Sequence, residues 1–153
     1  MQKLIGPALV VALLSGLGIG AQAALNNTIG KITGATLTGL LVNFLGGAAA
    51  GLFLAVVYLR QGSTAFSSIQ ASTLGIIVVS GLLGIGIITG VAYALPKIGV
   101  AAGLSAIIAA QMVVALVVDT LGLMGGRPIP LSWYRIVGIG LLALGTWAML
   151  PKE

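Results

Sequence analysis

Residues 72–118, STLGIIVVSGLLGIGIITGVAYALPKIGVAAGLSAIIAAQMVVALVV, hold a single charged side chain, Lys97, and it follows Pro96 directly. Proline interrupts a helix and disfavours helical backbone in the residue before it. The stretch therefore divides into two uncharged runs, residues 72–95 and 98–118. Each is close to the ~20 residues that a helix needs, at ~1.5 Å rise per residue, to cross the hydrocarbon of a bilayer. The runs are continuous and lack the dyad alternation of a membrane barrel. Only helices and closed barrels satisfy every backbone group in lipid. The stretch reads as a transmembrane helical hairpin.

The same pattern extends in both directions. Upstream lie apolar segments at about 4–24 and 38–59; the first stops at Asn26-Asn27 and the second closes with Arg60. Downstream, a Gly/Pro-rich loop over 122–130 precedes a fifth segment at about 132–150, ended by Pro151-Lys152. Trp133, Tyr134 and Trp147 lie near the two ends of that segment, where interfacial aromatics sit. The N-terminal segment has a small-residue motif, Ala21-Gln22-Ala23, like a signal-peptide cleavage site. Its uncharged stretch continues to Asn26, long enough to span, and it reads as the first membrane helix. The expected architecture is all-α: one transmembrane domain over residues 1–153, an integral membrane bundle of five transmembrane helices.

Composition agrees. Of 153 residues, 59% are hydrophobic and 6% charged, against roughly 25% charged in a soluble domain. The surface must face lipid. The net charge of +5 does not point to nucleic acid, because Lys3, Lys31, Arg60, Lys97, Arg127, Arg135 and Lys152 are scattered singly, with no basic stripe. No cysteine and no histidine are present, and the acids are Asp119 and Glu153 alone. That inventory offers no thiol nucleophile, no imidazole base and no carboxylate cage. Neither an enzyme nor a metal site or cofactor is expected.

The 24 glycines include small-xxx-small pairs within the spans: Gly16/Gly20, Gly47/Gly51, Gly86/Gly90 and Gly99/Gly103. Such pairs let helix backbones approach closely where lipid removes the hydrophobic drive for association. They predict a tightly packed bundle, or alternatively smooth faces that slide during a conformational change.

Five crossings put the termini on opposite sides. Lys3, Arg60, Arg127 and Arg135 then fall on the N-terminal side, and Lys31, Lys97 and Lys152 on the other. A Lys/Arg excess normally sets orientation; four against three is almost no bias. Either other features orient the chain or it inserts both ways, and insertion in both orientations is the expectation carried forward. Two opposed copies would give twice five, or ten, helices related by an axis in the membrane plane, the inverted repeat of many transporters. The expected assembly is an antiparallel homodimer.

Several sequence elements also occur together in one family. They are Gln22-x-x-x-Asn26-x-x-x-Gly30, Val42-Asn43-Phe44-x-Gly46-Gly47, Pro96-x-x-Gly99, Gln111 with Asp119-x-x-Gly122, and Arg135-x-x-Gly138. In these, over nearly its whole length, the chain resembles the five-helix, half-size YdcZ-like members of the drug/metabolite transporter superfamily. The resemblance implies antiparallel assembly, encoded by single genes, gene pairs or fused forms, and residence in a plasma membrane of the bacterial inner-membrane type.

Polar groups in lipid tend to face a bundle interior or a cavity. Ser15, Gln22 and Asn26 lie at i, i+7 and i+11, close to one helical stripe. Either they hold the bundle together by interhelical hydrogen bonds, or Gln22 and Asn26 line a vestibule. Asn43 divides evenly between the same readings. Gln111, deep in the fourth span, is the strongest candidate for lining a cavity. Asp119 and Arg135 end and open adjacent spans at one membrane level, so a structural ion pair is the default and a coupling role for Asp119 the alternative. A nearby arginine would lower the pKa of a coupling carboxylate that needs to be raised. The expected function is transport of a small, neutral or zwitterionic metabolite by alternating access, with the bilayer, a second copy and the solute as partners. A channel or a non-transporting scaffold are the alternatives.

Overall fold

The computed structural model describes residues 2–62, 69–123 and 127–151, with side chains from residue 6 onward. It is all-α: α1 (Gln2–Thr33), α2 (Ala35–Gln61), α3 (Ala71–Ile98), α4 (Val100–Leu121) and α5 (Trp133–Met149), with no strand among the described residues. Four of these, α1 to α4, are long and apolar enough to cross a membrane, while α5 is a shorter apolar helix of 17 residues. At ~1.5 Å per residue, α5 covers about 25 Å, near the lower limit for a span. Lys3, Lys152 and Glu153 lie outside the described side chains.

The helix boundaries differ from the expected ones at two places, for one physical reason. α1 does not stop at Asn26-Asn27 but continues to Thr33, and α3 runs through Pro96 to Ile98. Both asparagines are buried, at 4% and 8% exposure, so they sit inside packing and do not mark a loop. The breaks fall instead at Gly34 (φ 81, ψ 159) and Gly99 (φ 86, ψ 153), the N-caps of α2 and α4. That backbone region is open essentially to glycine alone. Each break is one residue long. Gly34 N–H donates to the Gly30 carbonyl at 3.0 Å and the Gly34 carbonyl accepts from Thr38 N–H at 3.1 Å. Gly99 N–H donates to Leu95 at 2.9 Å and its carbonyl accepts from Gly103 at 3.0 Å. The chain redirects without leaving these backbone groups unpaired.

The chain divides into two compact units, Gln22–Tyr93 and the segments that flank it. Within Gln22–Tyr93, glycines let α1, α2 and α3 meet. A Cβ on Gly39 would overlap Thr89 Oγ1 and stand 3.0 Å from the Ile85 carbonyl oxygen. A Cβ on Gly30 would stand 3.0 Å from the Ala92 carbonyl oxygen, a group that has no i+4 amide donor because residue 96 is proline. Thr38, fully buried, donates from Oγ1 to the Gly34 carbonyl at 2.7 Å and lies 2.9 Å from Thr33 Oγ1.

In the flanking unit, Gly103 of α4 packs against Leu95, whose Cδ1 would lie 2.7 Å from an added Cβ. α4 and α5 form an antiparallel hairpin fastened near both ends. Ser105 Oγ donates to Met149 Sδ at 2.9 Å, and Arg135 meets Asp119 at the other end.

The small-xxx-small pairs need correction. Around Gly16, Gly20, Gly47, Gly51, Gly86 and Gly90 an added Cβ would meet nothing within 4 Å. Gly103, of the Gly99/Gly103 pair, is closely packed as expected; the other close approaches fall on Gly30, Gly39 and Gly84, outside the pairs. A spacing of four marks a smooth face but does not say which face a neighbouring helix covers.

Candidate functional site

A cleft of about 910 Å³ opens within the Gln22–Tyr93 unit, walled by α1, α2 and α3. Its lining is mostly aliphatic, with glycines at 46, 47 and 81 and the ring of Phe44. Two polar side chains stand on the wall, Gln22 from α1 and Asn43 from α2, and no charged one does. Asn43 lies two turns into α2 because the helix begins at Ala35, immediately after the Gly34 break. Its Nδ2 donates to the Gly39 carbonyl at 2.8 Å on its own helix. That bond fixes the amide: the flipped rotamer would set two oxygens against each other. Oδ1 then faces α3 at Gly84, where an added Cβ would stand 3.1 Å from it.

Gln22 and Asn43 are therefore brought to one cavity. Ser15 is exposed, belongs to the other unit, and donates to the Val11 carbonyl at 2.9 Å. Asn26 is buried but does not reach the cleft wall. Gln111 is exposed on α4 and lines neither this cleft nor the smaller cavity of about 300 Å³ between α4 and α5. Asp119 and Arg135 stand on the wall of that smaller cavity, with Met112, Leu116 and Leu142. Arg135 Nη1 donates to Asp119 Oδ2 at 3.3 Å, and both side chains keep a third or more of their surface exposed.

Two features escaped the sequence reading. Asn27 is buried with Oδ1 lacking a hydrogen-bond partner; its neighbour Asn26 took the attention because it fits the helical stripe. Gly84 lies against Asn43 Oδ1 where a side chain would crowd it, and nothing in the local spacing sets Gly84 apart from Gly81 or Gly86.

A transmembrane helical chain with an uncharged, amide-bearing cleft fits solute transport, and the sequence comparison agrees. A family model described as "Putative inner membrane exporter, YdcZ" matches residues 7–148. The chain belongs to the YdcZ family. Membership places it in the inner membrane as a multi-pass protein, in keeping with its long apolar helices. The family's description is that of an exporter, which is not an enzyme class. No curated protein matches the chain, and no solved structure does.

Proposed function

We propose that this YdcZ-family chain is a secondary exporter that moves a small, neutral or zwitterionic solute by alternating access, as a dual-topology homodimer of ten helices. The observation that carries the reading is the cleft with Gln22 and Asn43 on an otherwise apolar wall. Large amides within apolar helices are costly unless they are paired or wet, and a solute path supplies both conditions. In this reading α5 is the fifth crossing, and the Asp119–Arg135 pair closes the α4–α5 hairpin.

Opposed copies follow from the charge balance. Lys31, Arg60 and Lys97 lie in the last turns of α1, α2 and α3; if each helix crosses the bilayer, Lys31 and Lys97 fall on one side and Arg60 on the other. The open glycine faces around Gly47, Gly51, Gly86 and Gly90 provide surface for a second copy or for sliding. Reporter fusions at the C-terminus test the orientation: periplasm-active and cytoplasm-active reporters should both give signal. A one-sided signal removes the opposed homodimer. Saturable counterflow in proteoliposomes tests carrier action, since flux through a fixed pore shows no counterflow.

A further inference from the structure

We propose that the cleft selects an uncharged, largely apolar solute that donates a hydrogen bond to Asn43 Oδ1. The inference deepens the exporter reading and rests on it for the statement that the cleft is a solute site.

Charge is excluded by the wall. No Lys, Arg, Asp or Glu stands on the lining. An ion entering would shed its hydration with no counter-charge to replace it, a penalty that two amides do not offset. A zwitterion meets that penalty twice, so of the neutral and zwitterionic solutes proposed above the inference keeps the neutral class alone. The volume, about 910 Å³, lies within the ~300–1,000 Å³ typical of organic-ligand pockets, far larger than an inorganic ion requires.

The polarity follows from Asn43. With Nδ2 committed to the Gly39 carbonyl at 2.8 Å, the group whose direction is fixed is Oδ1, an acceptor. It faces α3 where residue 84 is glycine, no donor among the described residues reaches it, and a methyl at 84 would stand 3.1 Å away and crowd it. A lipid tail has no donor to offer this oxygen, so an acyl chain in the cleft would leave it unpaired in hydrocarbon. A hydroxyl or amide N–H on an apolar skeleton satisfies both the oxygen and the wall.

The test is equilibrium binding to the full chain in lipid nanodiscs, with the signal from empty discs subtracted. The probes share one skeleton: 2-naphthol donates, 2-methoxynaphthalene does not, 2-naphthoate is an anion, and 2-naphthylmethylammonium is a cation. The expected order is 2-naphthol ahead of 2-methoxynaphthalene by about tenfold, the cost of leaving a desolvated acceptor unpaired, with both ions weaker still. Asn43→Leu should abolish the tenfold advantage without weakening the ether. Gly84→Ala, which shields Oδ1 and leaves Asn43 in place, should reduce the advantage in the same direction. Asn43→Asp should bring the cation forward. Equal binding of naphthol and ether to the unaltered chain overturns the proposal and needs no variant to fold. So does preference for an ion, or binding no greater than in empty discs. Counterflow is scored separately: probe discrimination without counterflow removes the exporter reading and leaves the binding specificity standing.

Discussion

Gly34 and Gly99 hold nearly the same backbone conformation, φ 81 and ψ 159 against φ 86 and ψ 153, and each forms a one-residue break between two long apolar helices. The resemblance extends to the hydrogen bonds, since each glycine donates to the carbonyl four residues before it and accepts from the amide four residues after it. A side chain at either position occupies strained backbone at a cost of ~1–3 kcal/mol. Gly34→Ala and Gly99→Ala should each lower stability by about that amount in a detergent unfolding titration. Gly16→Ala, in a helix interior with open space around it, should be neutral or slightly stabilising.

Among the glycines of the Gln22–Tyr93 unit, Gly39 leaves the least room for a side chain. An added methyl would overlap Thr89 Oγ1 and press on the Ile85 carbonyl. Gly39→Ala should cost about 1–3 kcal/mol through overpacking. Thr89→Ala removes the overlapping oxygen and should recover part of that loss, giving a favourable coupling in a double-mutant cycle.

The sequence made much of the fold legible, and its failures have a common cause. Five apolar helices followed from apolar length, because lipid forces backbone closure within each segment, but the fifth, expected as a full span over about 132–150, is the shorter α5 of 17 residues. The helix ends did not follow. Asn26-Asn27 and Pro96-Lys97 look like stops in isolation, yet burial absorbs the asparagines and α3 carries Pro96 in its last turn. The breaks were set by positive-φ glycines that the sequence does not distinguish from the many others. At the site, Gln22 and Asn43 share a wall, whereas Gln111 lines neither cavity described above. Hydropathy locates depth in the bilayer but not direction around a helix.

Asp119 and Arg135 meet through one 3.3 Å contact, with 45% and 34% of their side chains exposed. At the ends of the two helices, where headgroup water reaches it, such a half-exposed pair contributes no more than ~1 kcal/mol. Asp119→Asn should therefore lower stability only slightly and leave both ion-gradient-driven flux and counterflow in proteoliposomes within about twofold of the unaltered chain, a change of under ~1 kcal/mol. A coupling carboxylate would behave otherwise: its removal would abolish coupled flux while leaving exchange intact.

Asn27 buries Oδ1 without a partner. An orphaned carbonyl in an apolar setting costs ~1–3 kcal/mol, and Asn27→Leu removes it at similar volume. Thermal unfolding should show a stability gain of about 1 kcal/mol or more. A loss instead would mean that the oxygen is paired, by an internal water or by a bound solute.

The central claim is that Gln22 and Asn43 line a solute path and not a lipid-filled groove. The chain contains no cysteine, so Gln22→Cys provides a unique thiol on the cleft wall. The decisive measurement is its labelling by a water-soluble, membrane-impermeant maleimide in sealed vesicles of both orientations. The account predicts labelling from each side, with loss of counterflow once the thiol is modified. A thiol that resists this reagent in both preparations, yet reacts with a lipid-soluble maleimide, would contradict it.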